Sequence, residues 1–175
     1  MALYPHELID GDYIEGARAT SMEFVDFVEE SLRVLDTTFD LCTFDNASFE
    51  HAQFNDVRFE RCQAPDLKVV DAGLLDVSFS TSRIGALAGQ GSAWTRGVFE
   101  NCKIGYVNFR GARLTGTRFV DCTIEELDLT SATVKNVVFK NCTIEHLVLS
   151  ATTCNKVDLS TSQISRVTKI GRAHV

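Results

Sequence analysis

An apolar side chain recurs at nearly every fifth position of this chain, and the register is kept without insertion or deletion from Phe39 to Ile164. A smaller residue, such as Cys42, Ala47 or Cys62, lies two positions before many of these side chains. An α-helix has a period of about 3.6 and an ordinary strand a period of about 2, so neither produces a period of five. The pattern therefore indicates a repeat architecture.

Similar residues also recur at steps of twenty, which sorts the five-residue units into columns. Four units of five make one turn with four sides, and each inward side chain then stacks on its equivalent one turn away. The columns are phenylalanine at Phe39, Phe59, Phe79, Phe99, Phe119 and Phe139, isoleucine at Ile84, Ile104, Ile124, Ile144 and Ile164, and cysteine at Cys42, Cys62, Cys102, Cys122 and Cys142, with Ser82 and Ser162 in the cysteine column.

The repeat resembles that of the pentapeptide-repeat proteins, whose unit is a small residue, Asp or Asn, Leu or Phe, and two variable residues. The segments 47–51, 107–111 and 112–116 match this unit, although Asp or Asn is rare at its second position elsewhere. The resemblance implies an all-β fold, a right-handed quadrilateral β-helix, over at least residues 37–168. In such a solenoid each turn buries its core against its neighbours.

The predicted organisation is an N-terminal segment over residues 1–11 and a β-helix over residues 12–168, regular only from residue 37. Within the irregular coils of residues 12–36, Glu29 falls on an inward position, so we expect a loop or bulge near residues 28–31. An amphipathic helix over Ser21–Leu35 is the alternative interpretation.

The period ends in a tail over residues 169–175. Its last six residues, Ile170–Val175, resemble a translated sequencing adapter. We leave open whether this tail is native.

Composition and charge limit the functions that the chain can have. With 175 residues and 45% apolar residues, the chain is expected to form a single domain. It shows no secretory signal and no apolar run of membrane-spanning length, which predicts a cytoplasmic protein with no membrane partner. The net charge is −12 over residues 1–80 and +5 over residues 81–175, so an acidic end and a basic end are expected.

The thinnest turn is predicted around Gly89, which occupies an inward position where its column has Val69 and Phe109. Trp94 is large for its own position and is expected to fill part of the space that Gly89 leaves. Its indole N–H would then need a buried acceptor.

No catalytic, cofactor or metal site is predicted, and the chain is therefore not expected to be an enzyme. The cysteine column is linear and does not converge as the four ligands of a zinc ion must, so we interpret it as core packing. His51 and His146 point outwards about five turns apart, which leaves no catalytic triad. The glycines between Gly85 and Gly97 spell no dinucleotide-binding motif.

The outward carboxylates of the early turns are the candidate partner surface. Asp56 shares a column with Asp76, as Asp40 does with Glu60, so like charges are expected to stack one turn apart. Solubility alone would also account for these charges. The candidate residues are Asp40, Asp45, Asp56, Glu60, Asp66 and Asp76.

These observations favour a non-enzymatic scaffold that binds another protein, which the sequence does not identify. The resemblance offers an alternative, because some acidic members of the family mimic duplex DNA, bind DNA gyrase and confer fluoroquinolone resistance. A topoisomerase partner and a homodimer are therefore further candidates. Direct nucleic-acid binding has Arg110, Arg113 and Arg118 in its favour but no aromatic platform, and is disfavoured.

Overall fold

The computed structural model describes residues 4–170, which form a right-handed quadrilateral β-helix of about eight turns. Equivalent residues of successive turns pair in parallel at a spacing of twenty, as Phe79 does with Phe59 and Phe99. We number the sides by one turn: side 1 is centred on the column of Trp94, side 2 on Phe99, side 3 on Ile104 and side 4 on Phe109. The predicted fold is confirmed.

Two parallel sheets make the walls, and each covers two adjacent sides. A 3₁₀ helix at Pro5–Leu8 precedes them. The strands of sides 1 and 2 are Tyr13–Glu15, Arg18–Thr20, Arg33–Asp40, Gln53–Glu60, Gly73–Ser80, Ala93–Thr95, Val98–Glu100, Arg113–Thr115, Arg118–Val120, Thr133–Lys140 and Thr153–Asp158. The strands of sides 3 and 4 are Glu23–Val25, Thr43–Asp45, Ala47–Ser48, Gln63–Ala64, Leu67–Lys68, Arg83–Ala88, Lys103–Asn108, Thr123–Asp128, Thr143–Val148 and Gln163–Thr168.

The first turns are more regular than the sequence suggests. Glu23–Val25 is a strand, so the alternative of a helix over Ser21–Leu35 is wrong. The expected loop or bulge near residues 28–31 is also wrong, because Val28 bridges Ser48 at the usual spacing of twenty. The inward position of Glu29 is tolerated because its carboxylate remains partly exposed and lies 3.4 Å from the His6 imidazole.

At the other end, the last strand finishes at Thr168, where the sequence pattern also dissolves. Residues 171–175 of the predicted tail lie outside the described residues.

Left-handed backbone forms most corners of the square. The residue two positions after an inward centre commonly has a φ near +55°, as at Asn101 and Asn136. Asn, Asp and Gly accept this conformation more readily than other residues. The corner between sides 3 and 4 differs from Asp66 onwards, where this conformation is absent and six-residue strands such as Lys103–Asn108 cross the corner.

Stacked rings fill the interior along side 2. Phe79 lies between Phe59 and Phe99 with centroid distances of 4.3 and 5.2 Å, and the three rings are almost parallel. The stack continues through Phe119 to Phe139. The twenty-residue register thus stacks each phenylalanine ring of this column on its equivalent in the next turn.

The turn at Gly89 is filled. A Cβ on Gly89 would lie 2.8 Å from the Phe109 ring, so Phe109 occupies most of the space that we expected Trp94 to fill. Trp94 is buried, and its Nε1 donates to Ser92 Oγ at 2.9 Å. The expected need for an indole acceptor is thereby met by the small inward residue two positions earlier.

The cysteine column is buried and its thiols donate to backbone carbonyls. Cys62 Sγ, for example, lies 3.3 Å from the carbonyl oxygen of Phe39 in the preceding turn. Ser82 keeps the same place, and its hydroxyl accepts from Cys62 N at 3.0 Å. Cys154 lies outside this column and is only half-buried.

The burial of the column predicts its reactivity. A maleimide added to the native protein should label Cys154 first and leave Cys42, Cys62, Cys102, Cys122 and Cys142 slow, because the reactive thiolate must be reached by the reagent. Mass spectrometry of tryptic peptides against time measures this order. Rapid native labelling of the column would show that the turns open locally.

Candidate interaction surfaces

The six predicted acidic residues do not form one surface. Asp40 and Glu60 lie on side 2, and Asp56 and Asp76 on the edge between sides 1 and 2. Asp45 belongs to side 3, and Asp66 to the edge between sides 3 and 4. The residues are therefore distributed around much of the rod and cannot all face one flat partner.

Asp40 is predicted by the repeat to face solvent, and this is wrong. Its side chain is 5% exposed and lies between two arginines from neighbouring turns. Arg61 Nε donates to Asp40 Oδ1 at 2.9 Å, and Arg18 Nη2 to Oδ2 at 3.5 Å. The hydrogen bond from Arg61 lowers the pKa of the Asp40 carboxyl. These arginines neutralise the expected repulsion from Glu60, which pairs with Asp40 in register.

Three other candidates are also paired, and one of them is Asp56, whose Oδ1 lies 3.7 Å from Arg58 Nη2. Arg96 donates two hydrogen bonds of 2.8 and 3.0 Å to the Asp76 carboxylate. This contact lowers the pKa of the Asp76 carboxyl. Lys68 Nζ donates to Asp66 Oδ2 at 2.9 Å. Since these carboxylates already have cations, they offer less to a partner.

Backbone conformation explains two of the predicted residues. Asp56 and Asp76 both have left-handed φ angles, of 57° and 55°, at the edge between sides 1 and 2. Aspartate is one of the residues enriched in this conformation. Their shared column is thus accounted for by the corner itself, without a partner.

A different set of carboxylates has no cation partner within residues 4–170. It surrounds the edge between sides 3 and 4 in the first two turns, together with two exposed valines. Val25 is 50% exposed and Val28 63%. We call this the acidic surface, and it consists of Glu23, Asp26, Glu30, Asp45, Glu50, Val25 and Val28. The sequence does not reveal most of it, because the repeat is least regular over residues 12–36.

Unpaired cations lie on the diagonally opposite edge, between sides 1 and 2, in the later turns. Their side chains are exposed and have no carboxylate partner within residues 4–170. Val98 and Val138, half-buried, lie one turn either side of Arg118. We call this the basic surface, and it consists of Arg113, Arg118, Lys135, Lys140, Lys156, Val98 and Val138. Arg110, which the nucleic-acid alternative grouped with Arg113 and Arg118, lies on side 4, 3.7 Å from Asp128.

Side chains around one depression in the wall join successive turns. The depression has a volume of about 540 Å³, with Gly85 and Gly105 in its floor and Glu125, Glu145 and His146 at its rim. His146 Nδ1 is 2.8 Å from Glu126 Oε1, and its Nε2 is 2.7 Å from Thr168 Oγ1. These contacts link successive turns. In residues 4–170 no three His, Cys, Asp or Glu side chains are grouped to hold a metal ion.

No helix within the described part of the chain has the length and apolar character needed to cross a bilayer.

The ion pair between the buried Asp40 carboxylate and the exposed Arg61 predicts a pH dependence of stability. Because the folded pKa of Asp40 is lowered, the pair stabilises the fold above the ordinary carboxyl value of about 3.9 and is lost as the pH falls below it. Asp40→Asn should therefore lower stability at neutral pH and flatten its decline in acid. Urea unfolding from about pH 7 to pH 2 measures this, with Asp45→Asn as the exposed control. Equal slopes for wild type and Asp40→Asn would contradict it.

Comparison with known proteins gives one family match. Residues 92–168 match the family model described as pentapeptide repeat region. A search of curated proteins finds no match. Several solved structures resemble the chain at low identity, among them QnrB1 and HetL. QnrB1, a plasmid-mediated fluoroquinolone resistance protein, is 10% identical over 90% of this chain and 93% of that chain, with a TM-score of 0.39.

The second is HetL from Nostoc sp. strain PCC 7120, a pentapeptide repeat protein involved in heterocyst differentiation regulation. It is 9% identical over 97% of this chain and 91% of that chain, with a TM-score of 0.38.

Proposed function

This chain is a pentapeptide-repeat protein, with the family's repeat region at residues 92–168, and we propose that it is a non-enzymatic scaffold that binds another protein. The proposal rests on the acidic surface. Exposed valines ringed by carboxylates without cations resemble the apolar centre and polar rim of a protein–protein interface. In this proposal the protein acts in the cytoplasm, where its cysteines stay reduced.

The chemistry of this surface defines the partner class. Val25 and Val28 offer apolar area, and the carboxylates around them favour a partner with Lys or Arg at the rim. A rigid β-helix keeps both in place, so binding requires little ordering of the surface. We therefore propose a partner with a basic, partly apolar face.

Affinity capture from cells of the native organism, followed by reconstitution from purified components, tests the proposal. A bait carrying Val25→Ser and Val28→Ser should lose the captured protein, since it loses the apolar centre. Arg83→Glu with Lys103→Glu, outside the acidic surface on side 3, is the matched control and should retain the protein. A complex that survives the valine changes would refute this surface.

The DNA-mimic alternative finds less support. A mimic must present negative charge along the length that its target reads. Here Asp40 and Asp76 are paired with arginines, and the later turns carry the basic surface. We expect weak or no inhibition of DNA gyrase supercoiling by the purified protein. Strong inhibition at stoichiometric protein would favour the mimic instead.

A further inference from the structure

We propose that the acidic surface of one copy binds the basic surface of a second copy, so that the rods associate side by side in a staggered, open-ended assembly. This goes beyond the proposed function, because it assigns the basic surface, which the scaffold proposal does not use. It also needs no other protein.

Charge and apolar content make the two surfaces complementary. The acidic surface has two exposed valines among five carboxylates, and the basic surface has two half-buried valines among five cations. Neither set of charges has an ion-pair partner within residues 4–170. Each surface therefore carries the sign and the apolar centre that the other would cover.

The common repeat also matches the spacing of the charges. Glu30 and Glu50 are stacked one turn apart on side 4, and Arg118 and Lys135 lie on neighbouring turns on either side of the edge between sides 1 and 2. Successive turns are about 4.8 Å apart, so each pair of charges spans about one turn along the axis. Two rods with parallel or antiparallel axes can thus bring opposite charges together over a similar length of the axis.

Position on the rod determines the form of the assembly. The two surfaces lie on diagonally opposite edges and four to five turns apart along the axis, roughly 20–25 Å. An interface between two different patches is heterologous, and it propagates unless a rotation closes it. We therefore expect species larger than a dimer as concentration rises.

Sedimentation velocity of the purified protein alone tests this. At about 0.01 M salt, where the screening length is about 30 Å, the mean mass should rise with concentration well above 19.4 kDa. At about 1 M, where the screening length is about 3 Å, the chain should be monomeric. A monomer at low salt and high concentration would overturn the proposal. So would a dimer that grows no further.

Paired variants test whether these two surfaces form the contact. Arg118→Glu with Lys135→Glu, or Glu30→Lys with Glu50→Lys, should each give monomers. The mixture of the two variants should assemble again, because the intact surfaces bind each other and the reversed charges are also of opposite sign. Arg83→Glu with Lys103→Glu is the control with the same change of charge, and it should assemble like wild type. Circular dichroism confirms that each variant is folded, and Arg118→Gln with Lys135→Gln replaces the reversal if it is not.

The outcomes also separate this proposal from the scaffold proposal. Reversal at Arg118 and Lys135 should abolish self-association and leave capture of a foreign protein intact. If these reversals left the assembly unchanged, or the mixed variants failed to pair, the proposal would be wrong. A wild-type chain that stays monomeric but binds an oligonucleotide through Arg118 and Lys135 would assign the basic surface to nucleic acid instead.

Discussion

Phe79→Ala should lower the free energy of unfolding by about 3–5 kcal/mol. Phe79 is buried in the middle of the ring stack, with parallel rings centred 4.3 Å away on one side and 5.2 Å on the other. Both flanking strands pair with its own strand, which holds the turns at a fixed spacing. The cavity therefore cannot collapse, and the neighbouring rings lose contacts that water does not replace. Urea denaturation followed by circular dichroism measures the loss.

Phe79→Leu is the matched control. It keeps most of the apolar volume and should cost less than about 1.5 kcal/mol. A similar small loss for Phe79→Ala would mean that the turns relax towards each other. In that case the assumption that the solenoid holds its turns at a fixed spacing would be wrong.

The core is predictable from the sequence because one rule generates it. Side chains at steps of five point inwards and those at steps of twenty stack, so the phenylalanine, isoleucine and cysteine columns follow from the sequence alone. Pairing of Ile104 with Ile84 and Ile124 confirms that register. The same rule continues through Glu29, whose polarity does not interrupt the turn.

The surface is less predictable, because several of its contacts join residues of different columns. The period places Asp40 outwards, but Arg18 and Arg61 lie on its flanks and cover it. These arginines are separated from Asp40 by 22 and 21 residues, so neither contact follows from the strict twenty-residue step.

Corner conformation is a second signal that the sequence carries. Asp56 and Asp76 lie at corners with a left-handed backbone. In the sequence, Asn, Asp and Gly residues at steps of five mark such corners. Subtraction of those positions removes Asp26 together with Asp56 and Asp76, and it keeps Glu30, Asp45 and Glu50 among the charges that the backbone does not explain. Part of the acidic surface can therefore be predicted from the sequence once the aspartates at the corners are set aside.

Trp94→Ala should also cost about 3–5 kcal/mol. The indole is buried between the rings of Phe99 and Phe109, with centroid distances of 5.4 and 5.6 Å. Its N–H donates to Ser92 Oγ, and Ser92 donates in turn to the Gly89 carbonyl at 2.6 Å. Removal of the indole therefore empties a cavity and breaks a buried chain of hydrogen bonds. Circular dichroism must follow unfolding, since Trp94 is the only tryptophan.

Two further variants divide this loss between volume and hydrogen bonding. Ser92→Ala keeps the indole but leaves its N–H buried without an acceptor, which should cost about 1–3 kcal/mol. Trp94→Phe removes the donor and part of the ring, and should fall between wild type and Trp94→Ala. If Ser92→Ala left the free energy of unfolding unchanged, the indole N–H would have to reach water or another acceptor. The turn at Gly89 would then be looser than the Trp94–Ser92 distance of 2.9 Å indicates. Close approach at Gly97, where an added Cβ would lie 2.9 Å from Trp94 Cε3, argues for a tight turn and hence for the larger loss.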